Sequence, residues 1–169
     1  GAFFKNLPLV VVGGGNTALD EAYFLTRFAS KVTLMHRRDQ LRADKILQER
    51  FLDNEKTEVL WSTIPEKILG ENKVEGIQVK NKKSGESRKV ETSGVFIFIG
   101  NSPNTTFLQG VVELDKWGGV IVDGNQSTSV DGVFSAGDCI ANAPRQIAVS
   151  VGDGVRAALG VKSYLEKAH

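Results

Sequence analysis

The chain has 169 residues, of which 41% are hydrophobic and 24% charged, and its net charge is +1. These values are ordinary for a soluble globular protein and give no reason to expect nucleic acid or a membrane surface as a partner. With short apolar runs, no signal-peptide pattern and one cysteine, Cys139, which can form neither an internal disulfide nor a zinc cluster, we expect a cytoplasmic protein without a metal site.

The first sixty or so residues alternate between strand and helix patterns. Residues 9–12 form a short apolar run without alternation, which is typical of a strand buried on both faces of a parallel sheet. The predicted elements that follow are a helix over 17–29, a strand over 31–35, a helix over 41–52 and a strand over 57–61. The expected inner face of the second helix comprises Leu41, Ile46, Leu47 and Phe51. This alternation predicts a parallel sheet with helical crossovers.

Beyond residue 66 the chain changes to short strands separated by turn compositions. The strands predicted over 67–69, 74–80 and 87–90 indicate an antiparallel meander. Lys82 and Lys83 are expected at a solvated hairpin tip. An apolar strand over 95–99 follows, and the remaining predicted elements are strands over 120–122 and 133–136 and a helix over 147–165.

A glycine-rich turn joins the first predicted strand to the first predicted helix. Residues 13–18, GGGNTA, fit the pattern G-x-G-x-x-A. Gly13 permits a tight turn, Gly15 lets the backbone approach a pyrophosphate, and Ala18 keeps the helix close to the sheet. The free N–H groups and the dipole of the helix N-terminus favour a phosphate there. A tight turn without a ligand fits the same glycines, but the flanking strand, helix and second strand favour dinucleotide binding.

A basic cluster ends the second predicted strand, where a protein that binds NAD usually has Asp or Glu. The chain has His36, Arg37 and Arg38 there, and Arg42 follows early in the predicted second helix. A basic residue at that end of a helix opposes the helix dipole, so helix stability does not explain Arg42. Guanidinium groups bind a 2′-phosphate through paired, charge-assisted hydrogen bonds, so we expect NADPH rather than NADH. A solvated basic cluster is the alternative, and His36 fits either a place against the adenosine or a partly exposed strand end.

Several longer motifs of the sequence resemble those of a known protein family. The sequence contains GAFFKN, VVVGGGNTALDEA, VTLMHRRDQLRADKIL, GVFIFIGNSPNT, GVFSAGD and RQIAVSVGDG. Together they resemble bacterial-type, low-molecular-weight thioredoxin reductases, over residues 1 to about 165. Members of that family fold as an FAD domain interrupted by an inserted NADPH domain. They pass electrons from NADPH to FAD, then to a C-x-x-C dithiol, and then to thioredoxin.

The resemblance implies two sets of cofactor-binding residues and names no catalytic residue in this chain. For NADPH the implied set is Gly13, Gly15, Asn16, Thr17 and Ala18 at the pyrophosphate, Arg37, Arg38 and Arg42 at the 2′-phosphate, and Ile99 and Gly100 beside the cofactor. For FAD the implied set is Gly137 and Asp138 at the ribityl chain, with Arg145, Gln146 and Ile147 near the flavin pyrimidine.

The sequence departs from the family at two places. It has neither a C-x-x-C motif nor the first dinucleotide fold of the FAD domain, so it resembles a truncated flavoprotein. The expected fold class is α/β: a Rossmann-like NADPH-binding domain over 1–112, with a parallel sheet and an antiparallel β-meander, followed by an incomplete C-terminal segment of an FAD domain over 113–169. An incomplete segment would expose strand edges and apolar surface, so we expect the chain to self-associate through it. His169 is expected at a free terminus.

The expected function is that of the NADPH-binding portion of a thioredoxin reductase-like flavoenzyme. In the complete enzyme, hydride passes from NADPH to FAD and on to a protein disulfide, and thioredoxin is the partner. FAD is expected only in the complete enzyme, or weakly here, and the chain alone is not expected to reduce thioredoxin because dithiol exchange needs two thiols. Two alternatives stay open: a free-standing NADP-binding module without redox activity, and part of a thioredoxin reductase-like NADPH–ferredoxin reductase.

Overall fold

The computed structural model describes residues 1–167, so Ala168 and His169 lie outside the described residues. By its contacts the chain forms two compact units, a first unit over Gly1–Gly100 and a second unit from Asn101 onward. This contact boundary precedes the functional boundary expected after residue 112, which stays a prediction. Within residues 1–167, no helix combines the length and the apolar character needed to cross a membrane.

The first unit contains the expected parallel sheet and the expected meander. Its elements in chain order are β1 (Pro8–Gly13), α1 (Asn16–Leu25), β2 (Lys31–Met35), α2 (Lys45–Leu52), β3 (Thr57–Leu60), β4 (Thr63–Leu69), β5 (Gly76–Asn81), β6 (Ser87–Val90) and β7 (Gly94–Phe98). The parallel sheet has the order β3-β2-β1-β7, and the antiparallel sheet has the order β4-β5-β6. The predicted α/β class is therefore confirmed.

Strand β1 is buried on both faces, as its unbroken apolar run predicts. Leu9 and Val11 belong to a core that includes the buried side chains of α1 and Phe51 of α2. Val10 and Val12 belong to a second core that includes the buried side chains of β5. Because side chains of a strand alternate between its two faces, helices cover one face of the parallel sheet and the antiparallel sheet covers the other.

Two helix predictions were too long, and one predicted core residue is wrong. Helix α1 ends at Leu25 rather than near residue 29, and α2 begins at Lys45 rather than at residue 41. Phe51 is buried, but Ile46 is 57% exposed. Successive residues of a helix are about 100° apart, so Ile46 projects roughly 140° away from Phe51 and cannot share its inner face.

The second unit contains the predicted long helix, α3 (Ile147–Lys167), together with single 3₁₀ turns at Thr106–Leu108 and Gly137–Cys139. The strands predicted over 120–122 and 133–136 are wrong for the described residues, because Val120 and Phe134 make only isolated bridges there. A strand requires a continuous ladder of paired residues, and single bridges do not provide one. Buried Gln126 donates to the buried carboxylate of Asp153 in α3, at 3.3 Å.

Candidate functional site

Three loops that sequence analysis singled out meet at one edge of the parallel sheet. The glycine turn follows β1, the basic cluster follows β2, and Ile99 and Gly100 follow β7. Strand β1 lies between β2 and β7, and the chain leaves β1 toward β2 and returns on the other side as β7. Such a reversal opens a crevice at the carboxyl ends of the strands, where open α/β sheets bind ligands.

Gly13 is required by close packing. A Cβ there would lie 2.5 Å from Ala18 Cβ and 2.6 Å from the carbonyl oxygen of Phe98. Ala18 is fully buried, so its side chain sets the distance between α1 and the sheet. The first glycine and the alanine of the motif thus bring β1, α1 and β7 together.

Gly14 accommodates the ring of His36. The Nδ1–H of His36 donates to the carbonyl of Gly13 at 2.9 Å, and a Cβ at Gly14 would overlap that imidazole ring. His36 is only 4% exposed, so it is not the partly exposed strand-end residue that sequence analysis allowed. Its Nε2 has no hydrogen-bond partner among residues 1–167. The histidine therefore ties β2 to the glycine turn, and its Nε2 is a buried polar atom without a partner in the described part of the chain.

Gly15 and the start of α1 are open. A Cβ at Gly15 would meet no atom of the described residues within 4 Å, and its backbone is extended, with φ −98°. Within residues 1–167, no side chain caps α1, and Asn16 and Thr17 at its first positions are exposed. The free amides of a first helical turn carry partial positive charge, which suits a pyrophosphate.

The side chain of Asn16 joins the two helices. Its Nδ2 donates to the carboxylate of Asp44 at 2.9 Å, and its Oδ1 accepts from the backbone N–H of Asp44 at 2.9 Å. Asp44 is the N-cap residue of α2. Since its side chain is engaged, the polar group of Asn16 that is left for a ligand is its backbone N–H, in the first turn of α1.

Arg42 lies in the loop before α2, so the helix-dipole argument for it does not apply. Its backbone N–H donates to the carbonyl of Gly14 at 2.7 Å, and the N–H of Ala43 donates to the same oxygen at 3.2 Å. These bonds hold the loop against the glycine turn and keep 41–44 out of α2. Arg42 is therefore fixed beside the site by its backbone.

Two cavities at this edge share Arg37 and Arg42. The first has a volume of about 350 Å³ and is lined by Val12, Gly13, Gly14, Met35, His36, Arg37, Arg42, Thr63, Ile64, Pro65, Ile97, Phe98 and Ile99. The second has a volume of about 450 Å³ and is lined by Arg37, Arg38, Asp39, Gln40, Leu41, Arg42, Ser62, Lys82 and Lys83. The remaining implied residues line neither cavity: Gly15 and Gly100 lie in the adjoining loops, and Asn16 and Thr17 begin α1.

Sequence analysis missed two residues of this site. Lys82 and Lys83 are exposed in the turn between β5 and β6, as expected of a solvated hairpin tip, and they also line the cavity of the three arginines. Lys83 Nζ lies 2.8 Å from a carboxylate oxygen of Asp39, and this hydrogen bond, with a backbone hydrogen bond and the lysine charge, lowers the pKa of Asp39. The basic composition of the tip was the only signal, because its pairing with the loop after β2 is long-range.

The second unit places the residues implied for FAD near the start of α3. Gly137 adopts φ +79°, a conformation that favours glycine, and Asp138 accepts a hydrogen bond from Ser150 of the first turn of α3 at 2.9 Å. Arg145 and Gln146 directly precede α3 and are exposed, and Ile147 is its first residue. Cys139 is half-buried, with its thiol 3.3 Å from the carbonyl of Ala136. In the described part of the chain, no group of three His, Cys, Asp or Glu residues could hold a metal ion.

A parallel α/β sheet whose carboxyl edge joins an open glycine turn to a basic cluster is the arrangement typical of dinucleotide-binding proteins. The family model described as pyridine nucleotide-disulphide oxidoreductase matches residues 2–154, so the chain belongs to that family. Thioredoxin reductases of Rickettsia typhi and Peptoclostridium litorale are 46% and 42% identical to it, covering 99% and 98% of the chain. The crystal structure of Lactococcus lactis thioredoxin reductase matches 98% of the chain at 38% identity, with a TM-score of 0.81.

The chain spans about half the length of the relatives it matches. It covers 55% of the Rickettsia protein, 54% of the Peptoclostridium protein and 55% of the Lactococcus chain. The resemblance that the motifs predicted is thus confirmed, and so is the oxidoreductase family.

Proposed function

We propose that the first unit binds NADPH in the crevice between the glycine turn and the basic cluster. One observation carries this proposal. Gly15 is the one position of the turn where a side chain would meet no protein atom of residues 1–167. It lies at the same sheet edge as the cavity lined by Arg37, Arg38 and Arg42, called the arginine cavity below. Space beside Gly15 and the free amides of α1 suit the pyrophosphate. The arginine cavity suits a 2′-phosphate.

Each of the residues implied for NADPH binding has a proposed place along the cofactor. Gly13 and Ala18 shape the turn, and Gly15, Asn16 and Thr17 bind the pyrophosphate through their backbone. The 2′-phosphate is bound by Arg37, Arg38 and Arg42, and the Nε2 of His36 faces the adenosine. Ile99 and Gly100 lie beside the rest of the cofactor. The buried, unpartnered Nε2 and the uncapped helix, in the described residues, both support a bound polar ligand.

We propose that the second unit contributes part of an FAD site in the complete enzyme. The proposed residues are Gly137, Asp138, Arg145, Gln146 and Ile147. The hydrogen bond between Asp138 and Ser150 supports this proposal, because it holds a carboxylate beside the N-terminus of α3, where a polyol and an electron-rich ring would both find polar partners.

The complete enzyme is proposed to act as a thioredoxin reductase. When bound, NADPH supplies a hydride and FAD accepts it, and the residues of this chain bind and orient both groups. The thioredoxin reductase names of the relatives support a protein disulfide and thioredoxin as the next acceptors. These 169 residues contain one cysteine, so we expect no thioredoxin reduction by them alone. The single cysteine also fits a cytoplasmic location.

Binding of FAD to the chain tests the proposed role of the second unit. We expect weak but measurable FAD binding, seen as quenching of flavin fluorescence, and a partial flavin band in the visible spectrum after desalting. Asp138→Ala should abolish both signals, while Asp131→Ala, a surface carboxylate of the same unit, should leave them unchanged. A chain that binds NADP⁺ but no FAD would contradict FAD binding by this chain alone and favour a free-standing NADP-binding module.

We further propose that the chain self-associates through the segment from residue 113 onward. Helix α3 exposes Ile147, Val151, Val155 and Leu159 by 87%, 63%, 57% and 59%. Contiguous exposed apolar surface favours association because burial removes it from water. Light scattering should show a mass above that of a monomer at high protein concentration, and a monodisperse monomer there contradicts the proposal.

A further inference from the structure

The turn between β5 and β6 is held against the loop that carries the arginines. The backbone N–H of Ser62 donates to the carbonyl of Arg38 at 3.0 Å, and the N–H of Lys82 donates to the carbonyl of Ser62 at 2.6 Å. Lys83 adds the ion pair with Asp39. Because two of these three contacts are made by backbone groups, the position of the hairpin does not depend on flexible lysine side chains.

The charges around the arginine cavity favour an anion with more than one negative charge. The cationic residues that line it are Arg37, Arg38, Arg42, Lys82 and Lys83. Asp39 is the acidic residue of the lining, and Lys83 offsets its charge.

We propose that Lys82 is a further determinant of 2′-phosphate binding and that Lys83 is a positioning residue that keeps Asp39 from repelling the phosphate. The inference rests on the proposed NADPH site and deepens it. Lysine acts as a point charge on a long, flexible stem, which suits a contribution from the cavity rim. The three arginines provide the directed hydrogen bonds.

A comparison of two nucleotides measures the contribution of the 2′-phosphate to binding separately from that of the rest of the ligand. Adenosine 2′,5′-bisphosphate and adenosine 5′-monophosphate differ only in that group, so the ratio of their dissociation constants reports on it alone. Calorimetric titrations at one fixed ionic strength should compare the parent chain with Lys82→Ala, Lys83→Ala and Lys73→Ala. Lys73 lies in the turn between β4 and β5, lines neither cavity of the site, and provides the same change of charge.

Lys82→Ala and Lys83→Ala are each expected to weaken binding of the bisphosphate by roughly three- to tenfold, with the monophosphate and the Lys73→Ala variant unchanged. In Lys83→Ala the pKa of Asp39, followed by NMR, should rise toward its ordinary value because its hydrogen-bonded cation is gone. Adding Asp39→Asn to Lys83→Ala should restore most of the lost affinity, which a purely structural role of the lysine would not do.

The outcomes distinguish this inference from the proposed function. If both lysine variants behave like Lys73→Ala while Arg38→Ala loses the preference for the bisphosphate, the lysine inference is wrong and the NADPH site stands. If the parent chain binds the two nucleotides equally, the proposed NADPH site and the lysine inference are both wrong. If Asp39→Asn fails to rescue Lys83→Ala, the positioning role of Lys83 is wrong.

Discussion

Replacing Arg37 or Arg38 with alanine is expected to weaken NADP⁺ binding by about 10- to 100-fold while leaving NAD⁺ binding nearly unchanged. Both guanidinium groups line the basic cavity and are exposed at its surface. A hydrogen bond to a charged group contributes roughly 1.5–3 kcal/mol, which corresponds to one to two decades in a dissociation constant. Isothermal titration calorimetry with the two dinucleotides measures the ratio directly.

The matched control for this prediction is Arg27→Ala. Arg27 follows α1 at the end opposite the glycine turn, where its guanidinium lies 5.4 Å from the centre of the Phe24 ring. The Arg27→Ala substitution removes the same charge and leaves the residues of the proposed site unchanged. If the Arg37 and Arg38 variants bind NADP⁺ and NAD⁺ in the same ratio as the parent and the Arg27 variant, the arginines do not bind the 2′-phosphate.

Alanine at Gly13 is expected to destabilise the fold by about 2–3 kcal/mol. The added Cβ would lie 2.5 Å from Ala18 Cβ and 2.6 Å from the carbonyl oxygen of Phe98, so either α1 or β7 must shift. Overpacking of a close-packed interior has this order of cost. Urea unfolding followed by circular dichroism measures the change, and a variant as stable as the parent contradicts this account of the turn.

Alanine at Gly15 provides the contrasting case in the same turn. Its Cβ would meet no atom of residues 1–167 within 4 Å, and its extended backbone is open to any residue. We expect stability to change by less than about 1 kcal/mol, because alanine restricts the unfolded chain more than glycine does but is a poorer residue at the N-cap position of α1. NADP⁺ binding should weaken by at least about tenfold, since the methyl group takes the space of the pyrophosphate. If the Gly15→Ala variant binds NADP⁺ as tightly as the parent chain does, the pyrophosphate does not lie beside Gly15.

The sequence predicted best what depends on local pattern. The unbroken apolar run at 9–12 indicated a strand buried on both faces, and residues 13–18 marked its junction with α1 correctly. The turn-separated strands after residue 66 indicated the antiparallel sheet. In each case the signal lies within a few neighbouring residues, so side-chain periodicity and turn composition were sufficient.

Long-range contacts explain most of what the sequence did not predict. Helix α2 begins late because the N–H groups of Arg42 and Ala43 donate to the carbonyl of Gly14, a partner far along the chain. Lys82 reaches the arginine cavity through Ser62, and His36 is buried because its ring packs over Gly14. None of these partners can be identified from spacing alone. The runs at 120–122 and 133–136 look like strands, but strand formation depends on partners that the pattern does not specify.

Parallel calorimetric titrations of the 169-residue chain with NADP⁺ and with NAD⁺ test the central claim most directly. The account predicts saturable binding of NADP⁺ at least about tenfold tighter than that of NAD⁺, because the two dinucleotides differ only in the 2′-phosphate that the arginine cavity is proposed to bind. Equal affinities, or no binding of either dinucleotide, would contradict it.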